Sequence, residues 1–154
     1  MSLRDFLDKG LLKPHRTDRR EIADLLEVVD RDLNDASFEG LSPDRRFATA
    51  YNAVLQLATA ALYAARFRAS RGGHHWITIS VIPDVLGEGF AEQARYFDRC
   101  RIKRHNVDYD RVGTVSERDV TELLREAASF REGVLAWLKE EHPDLCPIEE
   151  PGPG

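Results

Sequence analysis

The sequence predicts an all-α protein, a bundle of four to five helices. Three observations predict it. Apolar residues recur at helical spacing in the long segments, three of those segments open on a capping signature, and no strand-like run has a pairing partner. A chain of 154 residues suits one domain with one core, burying roughly 70% of its unfolded surface. The expected boundaries are an N-terminal arm over 1–16, the bundle over 17–141 and a flexible proline-rich tail over 142–154.

Each element follows from its residues. The arm is a short helical or irregular stretch ending at Pro14. The first bundle helix runs from Asp18 to about Asn34: Asp18 and Glu21 form a capping pattern, and Ile22, Leu25, Leu26, Val29 and Leu33 share a face. Gly40 marks a loop. Ser42-Pro43-Asp44 then supplies an N-cap, a proline suited to the first turn and an acid near the positive helix end. The helix that follows is Ala-rich, which permits close approach on several sides, and is expected to reach Ser70 before Gly72-Gly73 stops it. Trp76-Ile77-Thr78-Ile79-Ser80-Val81-Ile82 is rich in β-branched residues, but a lone strand is unstable. Residues 74–88 therefore read as a short helix or turn. The next helix starts near Phe90 and ends around Asn106–Asp110. Ser116 with Asp119 caps the last, which carries Val120, Leu123, Leu124, Ala127, Val134, Leu135 and Leu138 to about Glu141. After His142 the four prolines of the tail argue against a packed segment.

Charged residues make up 32% and hydrophobic residues 42% of the chain, with a net charge of −5. Bulk charge therefore does not recruit nucleic acid. Locally the balance inverts: Arg95, Arg99, Arg101, Lys103 and Arg104 form a basic cluster, Arg66, Arg68 and Arg71 a second, and acids dominate after residue 116. The two cysteines, Cys100 and Cys146, form neither a CxxC nor a His/Cys cluster, so no disulfide framework, metal site or cofactor is expected. No apolar run approaches the roughly 20 residues of a membrane span. The acidic start, broken at Gly10, is unlike a signal peptide, and the expected location is cytoplasmic.

Chemistry concentrates in residues 97–110. At 100° per residue Phe90, Ala94, Phe97, Arg101, Arg104 and Asp108 lie within about 40° of one direction, with His105 beside them. A face that begins in the core and ends in charge must meet a cleft, a partner or a site, because burying unpaired charge is costly. Arginines hold phosphate bidentately, and a nearby histidine or tyrosine can move a proton. The bland alternative is intrahelical pairing of Arg101 and Arg104 with Asp108. No Glu-x-x-His pair, phosphate-cradling glycine loop, Gly-x-Ser-x-Gly or His-Glu-x-x-His is present. His74-His75 reads as a structural or exposed pair at a chain turn. Tyr51 reads as a helix-packing residue, and Cys100 as an ordinary thiol whose pKa Arg99 and Arg101 could lower.

Tyr51-Asn52-Ala53-Val54-Leu55-Gln56-Leu57-Ala58, Gly72-Gly73-His74-His75-Trp76 and Asp108-Tyr109-Asp110 occur in this order. Together with the arginine-led end of the penultimate long helix, they resemble the HEPN domain family. The likeness is to small prokaryotic members linked with toxin–antitoxin systems and nucleotidyltransferases, and it covers residues 17–141. It implies a homodimer whose cleft works on RNA without metal, an arginine stabilising phosphate charge and a histidine transferring protons. Two mappings of the family's arginine-to-histidine motif are open. Arg99 to His105 encloses five residues and meets the motif literally. Arg104 followed by polar His105 fits the local context and the core-derived face, but then Tyr109 stands where the histidine belongs. A tyrosine, with a pKa near 10, is a poor general base at neutral pH. By analogy with some members, Tyr109 is also a candidate acceptor for nucleotide transfer. The resemblance thus assigns catalysis to Arg104, His105 and Tyr109, and binding to Arg99, Arg101 and Asp108. The leading expectation is a catalytically degenerate module for a partner protein, nucleotide or RNA, with a nucleotidyltransferase or antitoxin as candidate partner. The alternatives are a metal-independent endoribonuclease and an unrelated structural bundle.

Overall fold

In the computed structural model of the protein, residues 2–71, 74–109 and 114–147 are described, with only the backbone for 107–109. Four long helices form the bundle: α2 (Arg19–Ala36), α3 (Pro43–Ala64), α6 (Ala91–Tyr109) and α7 (Glu117–Glu141). Shorter elements surround them: α1 (Leu3–Asp8), α4 (His74–Ser80), α5 (Ile82–Leu86) and the strands β1 (Leu12–Pro14) and β2 (Phe67–Ala69). The all-α expectation holds, apart from this two-stranded ribbon.

The caps act where their residue types place them. Asp18, Ser42 and Ser116 each accept a hydrogen bond from the third backbone amide of α2, α3 and α7. The Ala-rich α3 is the central helix, with Ala50, Ala53, Ala60 and Ala64 fully buried. It packs on α2, α7, α6 and α4. A main core built from Ile22, Val29, Phe47, Phe97, Phe130 and Leu138, among others, joins the long helices. Buried Arg46 ties three of them: its Nε donates to the Ala36 carbonyl at the end of α2 (2.8 Å), and its Nη1 to Glu117 at the start of α7 (2.8 Å).

The structure corrects three expectations. Helix α3 stops at Ala64 rather than reaching Ser70. Arg66 adopts a left-handed backbone (φ 75°) and reverses the chain, doing the work usually left to glycine. Residues 67–69 then pair antiparallel with residues 12–14. The arm, expected only as a short helical or irregular stretch, is therefore a packed helix and strand. Phe6 and Leu12 join Leu62, Ile77 and Val81 in a second apolar cluster, with Trp76 tilted against Phe6 (centroids 6.1 Å apart). Finally, core residues do not end with α7, because Leu145 and Cys146 are buried against the main core; residues 148–154 of the expected tail lie outside the described residues.

Candidate functional site

Helix α6 leaves the core as its sequence pattern implies. Phe97 is fully buried, 5.0 Å from Phe130 between ring centroids, while Arg101 and Arg104 farther along the same face are half-buried. Burial ends where the charges begin.

Arg104 turns toward Tyr51 of α3, and Arg101 is close enough for its charge to act on the same residue. The Arg104 guanidinium carbon lies 5.6 Å from the centroid of the Tyr51 ring, within cation–π range. Arg101 Nε donates to Asp98 at 2.8 Å, so its intrahelical partner is three residues before it. From α4, the His75 ring stands 6.0 Å from the same Tyr51 ring, with His74 5.6 Å beyond it. One buried aromatic thus forms the floor between a histidine and an arginine from different helices.

Electrostatics mark the same place. Burial holds the pKa of His75 below the ordinary histidine value, and the charges of His74, Arg104 and Arg101 lower it further. Burial raises the Tyr51 phenol above the ordinary range, against the opposing pull of Arg101 and Arg104. The Tyr51 hydroxyl is buried and has no hydrogen-bond partner among the described residues. A neutral imidazole beside two cations can accept a proton at neutral pH, and the cations can hold phosphate.

The remaining candidates separate from this cluster. Arg99 lies over Tyr96 (5.7 Å to the centroid), in a groove of about 700 Å³ between α6 and α7 that Glu122 and Glu126 also line. It is not brought together with Arg101 and Arg104. Lys103 is tied to Asp119 at 2.9 Å, which fastens α6 to the start of α7. His105 is exposed on α6. The Asp108 and Tyr109 side chains lie outside the described residues. Cys100 contradicts the expectation of a lowered pKa: burial pushes its thiol up to about 12, and its hydrogen bond with Tyr96 and the neighbouring cations do not offset that. Among the described residues no His/Cys/Asp/Glu group is placed to hold a metal, and no helix is long and apolar enough to cross a membrane.

Tyr51 and His75, expected as a packing residue and a turn residue, stand at this site as well. Both lie in segments that carried the family resemblance, which was the available signal. What was missing was the packing of α3, α4 and α6 that joins them.

The class defined so far is a helical bundle with a polar, cationic face on its penultimate long helix. Residues 39–135, more than half of the chain, match the SAV_6107-like HEPN family. The chain belongs to that HEPN family. Neither the curated proteins nor the solved structures give a significant match.

Proposed function

We propose that this HEPN domain is an RNA-binding module of RNA metabolism or defence, engaging phosphates through Arg101 and Arg104. The observation that carries the reading is the emergence of these arginines from the core-facing side of α6 beside Tyr51 and His75. At a net charge of −5, attraction must come from this local patch. Of the five cations in the cluster, Arg95 and Arg99 line the groove beside α7 and Lys103 is paired with Asp119, which leaves Arg101 and Arg104 on the side of Tyr51. A second copy would double that count. Ile102 (47% exposed) and Trp76 (38% exposed) supply apolar surface on α6 and α4 for such a dimer.

Salt dependence of binding tests this quantitatively. Each phosphate contact on a single strand contributes about 0.7 to the slope of log affinity against log salt. Two arginines give a slope of about 1.4, and a two-fold cleft about 3. Fluorescence anisotropy with single-stranded RNA should show the steeper slope for a dimer and a shallower one in Arg104→Ala. Salt-independent binding, or undiminished affinity in the Arg101→Ala/Arg104→Ala double variant, would rule the reading out. Light scattering at the mass of the 17.5 kDa monomer would remove the dimer.

A further inference from the structure

The second basic cluster of the sequence, Arg66, Arg68 and Arg71, lies in and beside β2. Pairing with β1 brings further cations to it. Lys13 is the register partner of Arg68, and the His15 amide, bonded to the Arg66 carbonyl at 2.8 Å, brings Arg16 to the same end of the ribbon. Successive side chains of a strand point to opposite faces. Leu12 and Ala69, which are also register partners, turn into the second apolar cluster. Lys13 and Arg68 therefore point outward together, on strands about 5 Å apart. Both are exposed, as are Arg16, Arg66 and Arg71.

The fold gains nothing from this arrangement, because like charges directly opposite one another destabilise a ribbon. Among the described residues none of the five cations forms an ion pair. Glu21, whose charge acts on Tyr63 together with that of Arg68, already accepts from His15 (2.7 Å) and the Thr17 hydroxyl (2.8 Å) through one oxygen. Four of the five are arginines, the residue suited to bidentate contact with phosphate. The large exposed apolar residues Phe38, Trp76 and Ile102 lie on other elements, so the ribbon face lacks the side chains that would enter a bilayer. The patch also leads toward the α6 site. Arg71 precedes His75 by four residues, which keeps their Cα atoms within about 14 Å, and the His75 ring stands against the Tyr51 ring that Arg104 covers. Lys13 and Arg16 come from the arm, before residue 39 where the family match begins.

We propose that the outward face of the ribbon is a second phosphate-binding surface, which takes up an RNA strand as it leaves Arg101 and Arg104. The inference rests on the RNA-binding reading above and gives the strand a path, past α4 to Arg71 and on over Arg68 and Lys13. The contacts are to phosphates, so this face holds the strand without reading its bases. Leu12 and Phe67 anchor the ribbon on the second apolar cluster, and the cations are therefore presented by a fixed surface rather than a loose tail. Affinity should then grow with strand length, each added phosphate contact contributing about 0.7 to the salt slope.

The test uses the full chain and fluorescent single-stranded RNAs of about four and about sixteen nucleotides. Wild type should bind the long strand more tightly and with a steeper salt slope. Lys13→Gln/Arg68→Gln should lower the long-strand slope by about 1.4, a loss of roughly tenfold or more at 0.1 M salt, and leave the short strand within about threefold. Arg125→Gln/Lys139→Gln, the same change of charge on the exposed side of α7, should bind both strands as wild type does. Arg68→Glu separates binding from folding. It sets opposite charges across the ribbon, so it should unfold in urea no earlier than wild type and still lose the long-strand gain. A wild-type slope on the long strand in both ribbon variants overturns the inference and leaves the α6 reading standing. So does a ribbon that prefers poly-glutamate or phosphatidylserine vesicles to RNA at the same salt. Short-strand binding that survives Arg101→Ala/Arg104→Ala removes the α6 reading and the path with it, and failure to bind either RNA removes both.

Discussion

Replacing Tyr51 with phenylalanine should stabilise this protein, although Tyr51 is among its largest fully buried side chains. The phenol oxygen is enclosed and has no partner among the described residues. Leaving such a group unsatisfied costs about 1–3 kcal/mol. Tyr51→Phe removes that penalty and keeps the ring, including its contact with Arg104. The vacated volume is one oxygen, and losing a few dispersion contacts at about 0.1–0.2 kcal/mol each returns less than 1 kcal/mol. The net expectation is a gain of about 1 kcal/mol, or roughly 2–4 °C in Tm for a domain of this size. Urea unfolding followed by circular dichroism at 222 nm, with calorimetry for Tm, measures it. An unchanged m-value is required for the comparison to be valid. Tyr51→Leu removes the ring as well and should cost several kcal/mol, since the arginine loses its aromatic support and the core its filling. A loss of more than about 0.5 kcal/mol in Tyr51→Phe, against the 1–3 kcal/mol penalty it should relieve, would refute the reasoning. It would mean that the hydroxyl is well bonded in solution.

Other outcomes follow from single features. Arg66→Gly should stabilise by about 0.5–1 kcal/mol in urea unfolding, because a left-handed backbone costs an L-residue roughly 1–2 kcal/mol, partly offset by the greater freedom of glycine when unfolded. Ser116→Ala should cost about 1 kcal/mol, since Ser116 and Asp119 cap α7 reciprocally; no change in the urea midpoint would show the cap to be idle. Cys100 should react with a disulfide reagent at pH 8 roughly a thousandfold more slowly than an ordinary thiol, and reaction at the ordinary rate would place it outside the core. Its raised folded pKa also fixes a sign. The stability it contributes is complete below the unfolded value of about 8.5 and is lost as pH rises toward 12, so Cys100→Ala should flatten the alkaline arm of a pH–stability profile.

The long helices were legible because their signals are local. Asp18, Ser42 and Ser116 announce α2, α3 and α7 within one turn, and the apolar spacing behind them repeats for several more. The end of α3 was not legible, since Tyr63-Ala64-Ala65-Arg66-Phe67 contains no glycine or proline, and a positive φ at an arginine carries no sequence mark. The ribbon joins three-residue strands more than fifty positions apart, too short for an alternating pattern to register. Leu145 and Cys146 were hidden by the prolines around them. At the site, helical phase separated Arg99 from Arg101 and Arg104 correctly, since that geometry belongs to one helix. His75 could not be recovered in this way. Its place beside Tyr51 is set by how α4 packs against α3 and α6, which periodicity within any one helix does not encode.

That packing depends on residues outside the segment that matches the family. Helix α4 contributes Thr78 and Ile79 to the buried interior, but its Ile77 faces a different neighbour, the cluster formed by Phe6, Leu12, Leu62 and Val81. Two of those, Phe6 and Leu12, belong to the N-terminal arm, before the match begins at residue 39. The arm is held by Ser2 and Asp5 capping α1 reciprocally, and by pairing of β1 with β2. Further contacts lock the strand exit: the His15 amide donates to the Arg66 carbonyl (2.8 Å), and the His15 ring stacks on Tyr63 (4.0 Å) and bonds Glu21 (2.7 Å). Burying a phenylalanine and a leucine stabilises by about 1.5–3 kcal/mol each, enough to decide where a seven-residue helix settles when its own hydrogen bonds cannot. The main core therefore fixes Arg101 and Arg104 through Phe97, while the arm fixes His75 through Ile77. The two halves of the site rest on separate apolar clusters, and Leu62 and Tyr51, both on α3, are the shared support that holds those clusters in register.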